Sequence, residues 1–174
     1  EPYRRQRQMC IRDSHDMPRE IAYLPQRSDV DWSFPITVRA LVEMGRYPAL
    51  GLWKKFSGHD REIVEKSLHV LGLEHLAERQ ISELSGGQQQ RVAVARSLIN
   101  NPGILLADEP TGNLDSTTSK EVLHMFKDLN RQKGITVILV THDPKIAAFT
   151  DRAINMEDGL ICEGISDKLS KEDV

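Results

Sequence analysis

The segment ILLADEPTGNLDSTTSKEVLHMFKDLNRQKGITVILVTH, residues 104–142, restricts the fold more than any other part of the chain. ILLAD (104–108) is a short unbroken apolar run, the pattern of a strand buried on both faces. After the turn-rich EPTGNLDS, Val122, Leu123, Phe126 and Leu129 share one face of a helix. That helix is expected to end near Gly134, and ITVILVTH (135–142) reads as a second buried strand. Strand, helix and strand in under forty residues make a βαβ unit, so the strands are expected to be parallel. Open parallel sheets bind ligands beyond the carboxyl ends of their strands. Asp108 and Glu109 stand at one such end and His142 at the other. Position alone marks this edge as a site.

The flanking sequence extends the pattern. IAYL (21–24) reads as a further strand, stopped by Pro25. From Ile36 to about Arg79 the period is helical, with Val64, Leu68 and Leu71 on one face and Gly45 and Gly72 at helix C-terminal positions. This predicts a helical subdomain over residues 34–83 set between sheet elements. In LSGGQQQRVAVARSL (84–98), Ser85 is an N-cap and two glycines bare the N–H groups of the first helical turn. Such a start favours an anion. RAINME-DG-LICEG alternates around Asp158-Gly159, a hairpin signal, and the polar tail 165–174 is expected to fray. The expected class is α/β, a partial parallel-sheet core with an inserted helical subdomain.

Composition narrows the partners. With 174 residues, 39% of them apolar, the chain can bury one core and a small appendage. A net charge of −3 argues against nucleic acid as the main partner. No apolar run approaches the length that spans a bilayer, and no signal peptide is visible. Cys10 and Cys162 lie far apart without metal-ligand spacing, which fits a reducing compartment.

Taken in order, PQ (25–26), LSGGQQQR (84–91), ILLADEP (104–110), NLD (113–115) and THD (141–143) resemble the ATP-binding subunits of ABC transporters over about residues 21–164. The resemblance implies a P-loop NTPase-like fold whose cofactors are ATP and Mg²⁺. Glu109 is then the general base, His142 the switch histidine, and Asp108 and Gln26 hold the metal. Gln26 also senses the nucleotide, within the core strand and Q-loop of residues 21–33. Ser85, Gly86, Gly87, Gln88 and Asp115 would serve the ATP of a second, head-to-tail subunit. A membrane permease would be met through the helical subdomain and the Q-loop, on the cytoplasmic face of the membrane. Plainer roles compete residue by residue. Ser-Gly-Gly can be a simple N-cap turn, Asp115 can cap the next helix, and His142 can close a strand. Arg91 and Arg96 can form a solvated face or pair between subdomains.

Two features depart from the family pattern. No Gly-Lys pair occurs in the 174 residues, so the phosphate-cradling loop G-x-x-x-x-G-K-[ST] is missing from this sequence. Residues 1–20 have no helical or strand period, and RRQRQMCIRDS is similar to a translated synthetic adapter. The expectation is a truncated subunit that by itself neither grips nor turns over ATP. Residues 21–98 resemble metal and metal-chelate importers, whereas residues 99–164 resemble lipoprotein-release and macrolide-export ATPases. The two likenesses join near ARSL (95–98), in an assembly chimera or a divergent natural subunit. The segment that meets the membrane partner favours metal import. Soluble DNA-repair ATPases of this family would carry long coiled-coil or zinc-binding insertions, and only 57 residues separate Gln26 from Leu84.

Overall fold

A computed structural model describes residues 21–26, 30–50, 55–112 and 114–162. The adapter-like stretch 1–20, Asn113 of the NLD motif and the polar tail 165–174 lie outside the described residues. The structure divides at Leu139/Val140 into two compact units, each described separately.

In the first unit, IAYL forms β1 (Ile21–Leu24) and ILLAD forms β2 (Ile104–Asp108), paired in parallel with Leu24 opposite Ala107. β3 (Thr136–Val140) is hydrogen-bonded beside β2, giving the order β1-β2-β3. The Thr136 N–H donates to the Gly103 carbonyl at 2.9 Å, which sets the starts of β2 and β3 side by side. Both strands therefore run the same way, as a βαβ connection requires.

Most of the helices start where a side chain can satisfy their open N–H groups. Thr37 caps α1 (Val38–Met44), which is followed by the single turn α2 (Tyr47–Leu50). Ser57 and Asp60 form a capping box on α3 (Gly58–Val70). Ser85 and Gln88 do the same for α4 (Gly86–Leu98). Asp115 caps α5 (Ser116–Lys133), which Gly134 ends in left-handed conformation at φ 66°. The expected apolar faces are the buried ones: Val64 and Leu68 on α3, and Val122, Leu123, Phe126 and Leu129 on α5. α4 carries the centre of the core, with Val92, Val94 and Ala95 fully buried and α1, α3, α5 and β1 packed around it.

One expectation needs correction. β2 and β3 read as strands buried on both faces, yet burial alternates along all three strands. Ala22, Leu24, Leu105 and Ala107 are buried, whereas Tyr23 is 50% and Ile138 46% exposed. An unbroken apolar run reports that both faces are suited to a cover. It does not report that both have one.

The second unit begins with Val140 and holds α6 (Pro144–Ala148), capped by Asp143 with proline at its start. The expected hairpin is present as β4 (Asn155–Glu157) and β5 (Leu160–Cys162). Asp158 and Gly159 both have positive φ (49° and 80°), the geometry of a two-residue type I′ turn. Among the described residues no helix is long and apolar enough to cross a membrane.

The helical segment is fastened to the end of α4 by a partly buried polar network. The Arg46 guanidinium donates to Asp60 Oδ1 at 2.7 and 3.1 Å and to Asn100 Oδ1 at 2.8 Å. Asn100 Nδ2 in turn donates to the Gly45 carbonyl at 2.7 Å. Gly45 itself lies so close to α4 that an added Cβ would stand 2.6 Å from the Arg96 carbonyl oxygen and 2.8 Å from Ile99 Cγ2. Gly45→Ala is therefore expected to cost about 1–3 kcal/mol by overpacking, although alanine is the better helix former. Urea unfolding of the pair measures this. The Ser57 hydroxyl, then Arg46, then the Ser57 N–H hold the Asp60 carboxyl well below the usual carboxylate range. A depressed folded pKa adds stability above the unfolded value of about 4, lost as pH falls toward the folded one. The stability of Asp60→Asn should accordingly fall less than wild type between pH 5 and pH 2, read from unfolding curves across that range.

Candidate functional site

The parallel register brings three of the expected site residues to one end of the sheet. β1 ends opposite Ala107, so Pro25 and Gln26 continue past the same edge as Asp108 and Glu109. The Tyr23 hydroxyl, on the exposed face of β1, reaches 3.5 Å from Asp108 Oδ2. Glu109 leaves the strand in left-handed backbone, at φ 44°. That region is costly for a residue with a side chain, and such strain concentrates at functional sites. A tight turn follows, closed by the Gly112 N–H on the Glu109 carbonyl at 3.0 Å. A Cβ on Gly112 would stand 3.2 Å from that oxygen, a tight contact. Within the turn, the Thr111 hydroxyl is buried with no hydrogen-bond partner among the described residues.

This donor set suits one hard cation carried by a phosphate. Mg²⁺ is commonly held by one or two carboxylates together with substrate phosphates and water. Asp108, with the amide oxygen of Gln26, fits that requirement. Among the described residues no cluster of three or more His, Cys, Asp or Glu side chains forms a dedicated metal cage.

The second expected group sits at the start of α4. The Ser85 hydroxyl accepts the Gln88 N–H at 3.4 Å, and Gln88 Oε1 accepts the Ser85 N–H at 3.0 Å. The Gln89 N–H makes the first helical bond, to the Ser85 carbonyl at 2.9 Å. Only the earliest N–H groups of the turn, those of Gly86 and Gly87, are left without an intrahelical acceptor by helix geometry. Gly87 is buried and packs against α5: an added Cβ would meet Thr118 Cγ2 at 2.4 Å. Further along, Arg91 pairs with Glu121 of α5 at 2.8 Å, a contact on the solvated side of two helices of the same 84–164 core and not one between subdomains.

Asp115 takes the capping role. Its carboxylate accepts the Thr117 and Thr118 N–H groups, both at 3.0 Å, and the Thr118 hydroxyl at 2.6 Å. The hydroxyl first, then the Thr118 N–H, hold its pKa below the ordinary value. His142 lies two residues beyond β3, in the second unit, between Thr141 and Asp143. The Thr141 hydroxyl accepts the Asp143 N–H at 3.1 Å, which fixes the turn that carries the histidine.

The comparisons with known proteins give the family. A family model described as ABC transporter matches residues 3–112. The manganese transport system ATP-binding protein MntB of Halalkalibacterium halodurans is 39% identical over 147 residues, 84% of this chain and 58% of that protein. The chain belongs to the ABC transporter family. A macrolide export ATP-binding/permease protein, MacB of Syntrophobacter fumaroxidans, is 55% identical over 101 residues, 58% of this chain and 14% of that protein. Both likenesses read from the sequence are thus found among the relatives. Of solved structures, a dimeric post-hydrolysis state of the ATP-binding cassette MJ0796 bound to ADP and Pi aligns with TM-score 0.62 at 37% identity. That alignment covers 83% of this chain and 62% of the cassette. The fold is accordingly the α/β core of ABC cassettes, and the chain spans little more than half the length of its manganese-transport relative.

Within this ABC transporter chain, three contributors escaped the sequence reading: Tyr23 beside Asp108, the strained backbone of Glu109, and Thr118. Only Thr118 left a signal, as a hydroxyl three residues after an N-cap aspartate. The unpartnered Thr111 hydroxyl generates a prediction. Thr111→Val keeps the shape and removes a buried polar group, so stability should rise by about 1 kcal/mol in chemical denaturation.

Proposed function

We propose that this chain is the hydrolytic and partner-facing part of an ATPase that energises import of a metal ion or metal chelate. The observation that carries the reading is the 39% identity to a manganese transport ATP-binding protein across 84% of this chain. That span includes more than the catalytic turns, and it must draw on the helical segment that would meet a permease.

In this reading Asp108 and Gln26 hold Mg²⁺, which supplies charge neutralisation on the phosphates when bound. Glu109 accepts the proton of the attacking water, and its strained backbone supports that role by fixing where the side chain leaves the strand. His142 donates to the γ-phosphate. Ser85, Gly86, Gly87 and Gln88 present the start of α4 to the nucleotide of a second cassette, and Asp115 stands at that junction. The dimeric ADP- and phosphate-bound neighbour supports pairing of two cassettes. The assembly would work on the cytoplasmic face of a membrane.

A second reading, macrolide export, is favoured by the 55% identity over 101 residues. The two are separated by exchange. Residues 21–164 placed into the corresponding part of the manganese-transport relative should support manganese uptake and permease-stimulated ATP hydrolysis. Glu109→Gln in that chimera should lower turnover by about 10²-fold or more while nucleotide binding persists. Activity only after the same exchange into the macrolide exporter would reject the metal assignment, and turnover unchanged by Glu109→Gln would remove it as base.

A further inference from the structure

The start of α4 and the Asp115 turn are joined by a single side chain. Thr118 is β-branched, and the structure uses both branches. Its Oγ1 donates to Asp115 Oδ2 at 2.6 Å, and its Cγ2 lies 2.4 Å from where a Cβ on Gly87 would stand. Gly87 is not in left-handed conformation, so its glycine is explained by this close approach and not by φ. The Arg91–Glu121 pair, one helical turn further along, keeps the same two helices in contact. Oγ1 and Cγ2 are both bonded to Cβ, so a χ1 rotation that moves the methyl carries the hydroxyl with it.

We propose that Thr118 is a positioning residue that locks the glycine turn of α4 and the Asp115 loop into one rigid edge. Neither segment shifts alone: displacing Gly87 turns Thr118 and breaks its bond to Asp115, and releasing Asp115 frees the methyl that seats Gly87. The functional meaning rests on the reading above, in which both segments face the second cassette. The edge then presents its N–H groups and its carboxylate in fixed mutual geometry, as preorganised recognition of a phosphate requires.

The coupling is measurable in the 174-residue chain without nucleotide, so its failure is distinct from failure of the transport assignment. Four variants are compared by NMR titration of the Asp115 carboxyl and by amide exchange at Gly86, Gly87, Thr117 and Thr118. Gly87→Ala should raise the Asp115 titration midpoint and lower Thr117 and Thr118 protection about fivefold, the scale of a lost cap. Adding Thr118→Ser removes the clashing methyl and keeps the hydroxyl, so the double variant should return both readouts to wild type. Thr118→Val, which keeps the shape and loses the hydroxyl, should raise the midpoint and speed exchange at Gly86 and Gly87. Thr118→Ser alone should leave the midpoint in place. An Asp115 midpoint indifferent to Gly87→Ala, or a double variant no better than the single one, overturns the proposal. Should Gly87→Ala fail to fold, the Thr118→Val and Thr118→Ser pair decides: equal effects on Asp115 overturn it.

Discussion

The backbone of α4 is approached closely at both of its ends, and most of the first unit is arranged around those two contacts. At the start, Gly87 lets the helix sit against Thr118 of α5. At the end, Gly45 of the helical segment sits against the Arg96 carbonyl and Ile99. Between them Val92, Val94 and Ala95 are fully buried. Close packing leaves such a helix little freedom to slide, because any shift opens voids on one side and clashes on the other. The helix that bears the candidate phosphate-facing turn is thus held as a rod between two neighbours.

The polar groups around this rod reinforce the same geometry. Arg46, Asp60 and Asn100 sit where bare charges would be costly, and each finds its partners within the network. A buried ion pair of this kind is weak support for net stability, and its value lies in fixing one arrangement of the segments it joins. Here it ties the helical segment to the residues just after α4, the opposite end from Ser85. The Ser67 hydroxyl adds a bond to the Ala95 carbonyl at 3.1 Å, so α3 is fastened to the middle of the rod as well.

At the sheet edge the logic is reversed, and local order is strained. Glu109 sits in left-handed backbone, and in the same turn Thr111 buries a hydroxyl without a partner among the described residues. Both features oppose folding, and they fall next to Asp108 and Gln26. The tight turn at Gly112 gives this strain a rigid support.

Much of this was legible in the sequence. Apolar spacing located the strands and the buried faces of α3 and α5, since burial of a face is written residue by residue at a fixed period. Cap residues located helix starts, and Asp158-Gly159 located the hairpin, because those signals act within a few residues. The ordered motifs located the family. Other features required the tertiary structure. Which face of the sheet is covered depends on helices distant in sequence, so an apolar run could not tell one covered face from two. Asp115 was readable as a cap, yet its link to Gly87 was not, because it runs through the space between two helices. Gly45 and Gly87 were readable as glycines at helix ends, whereas the reason for them lies in how near another backbone comes. Sequence records what each residue can do locally; only the packing of distant segments decides which of those capacities is used.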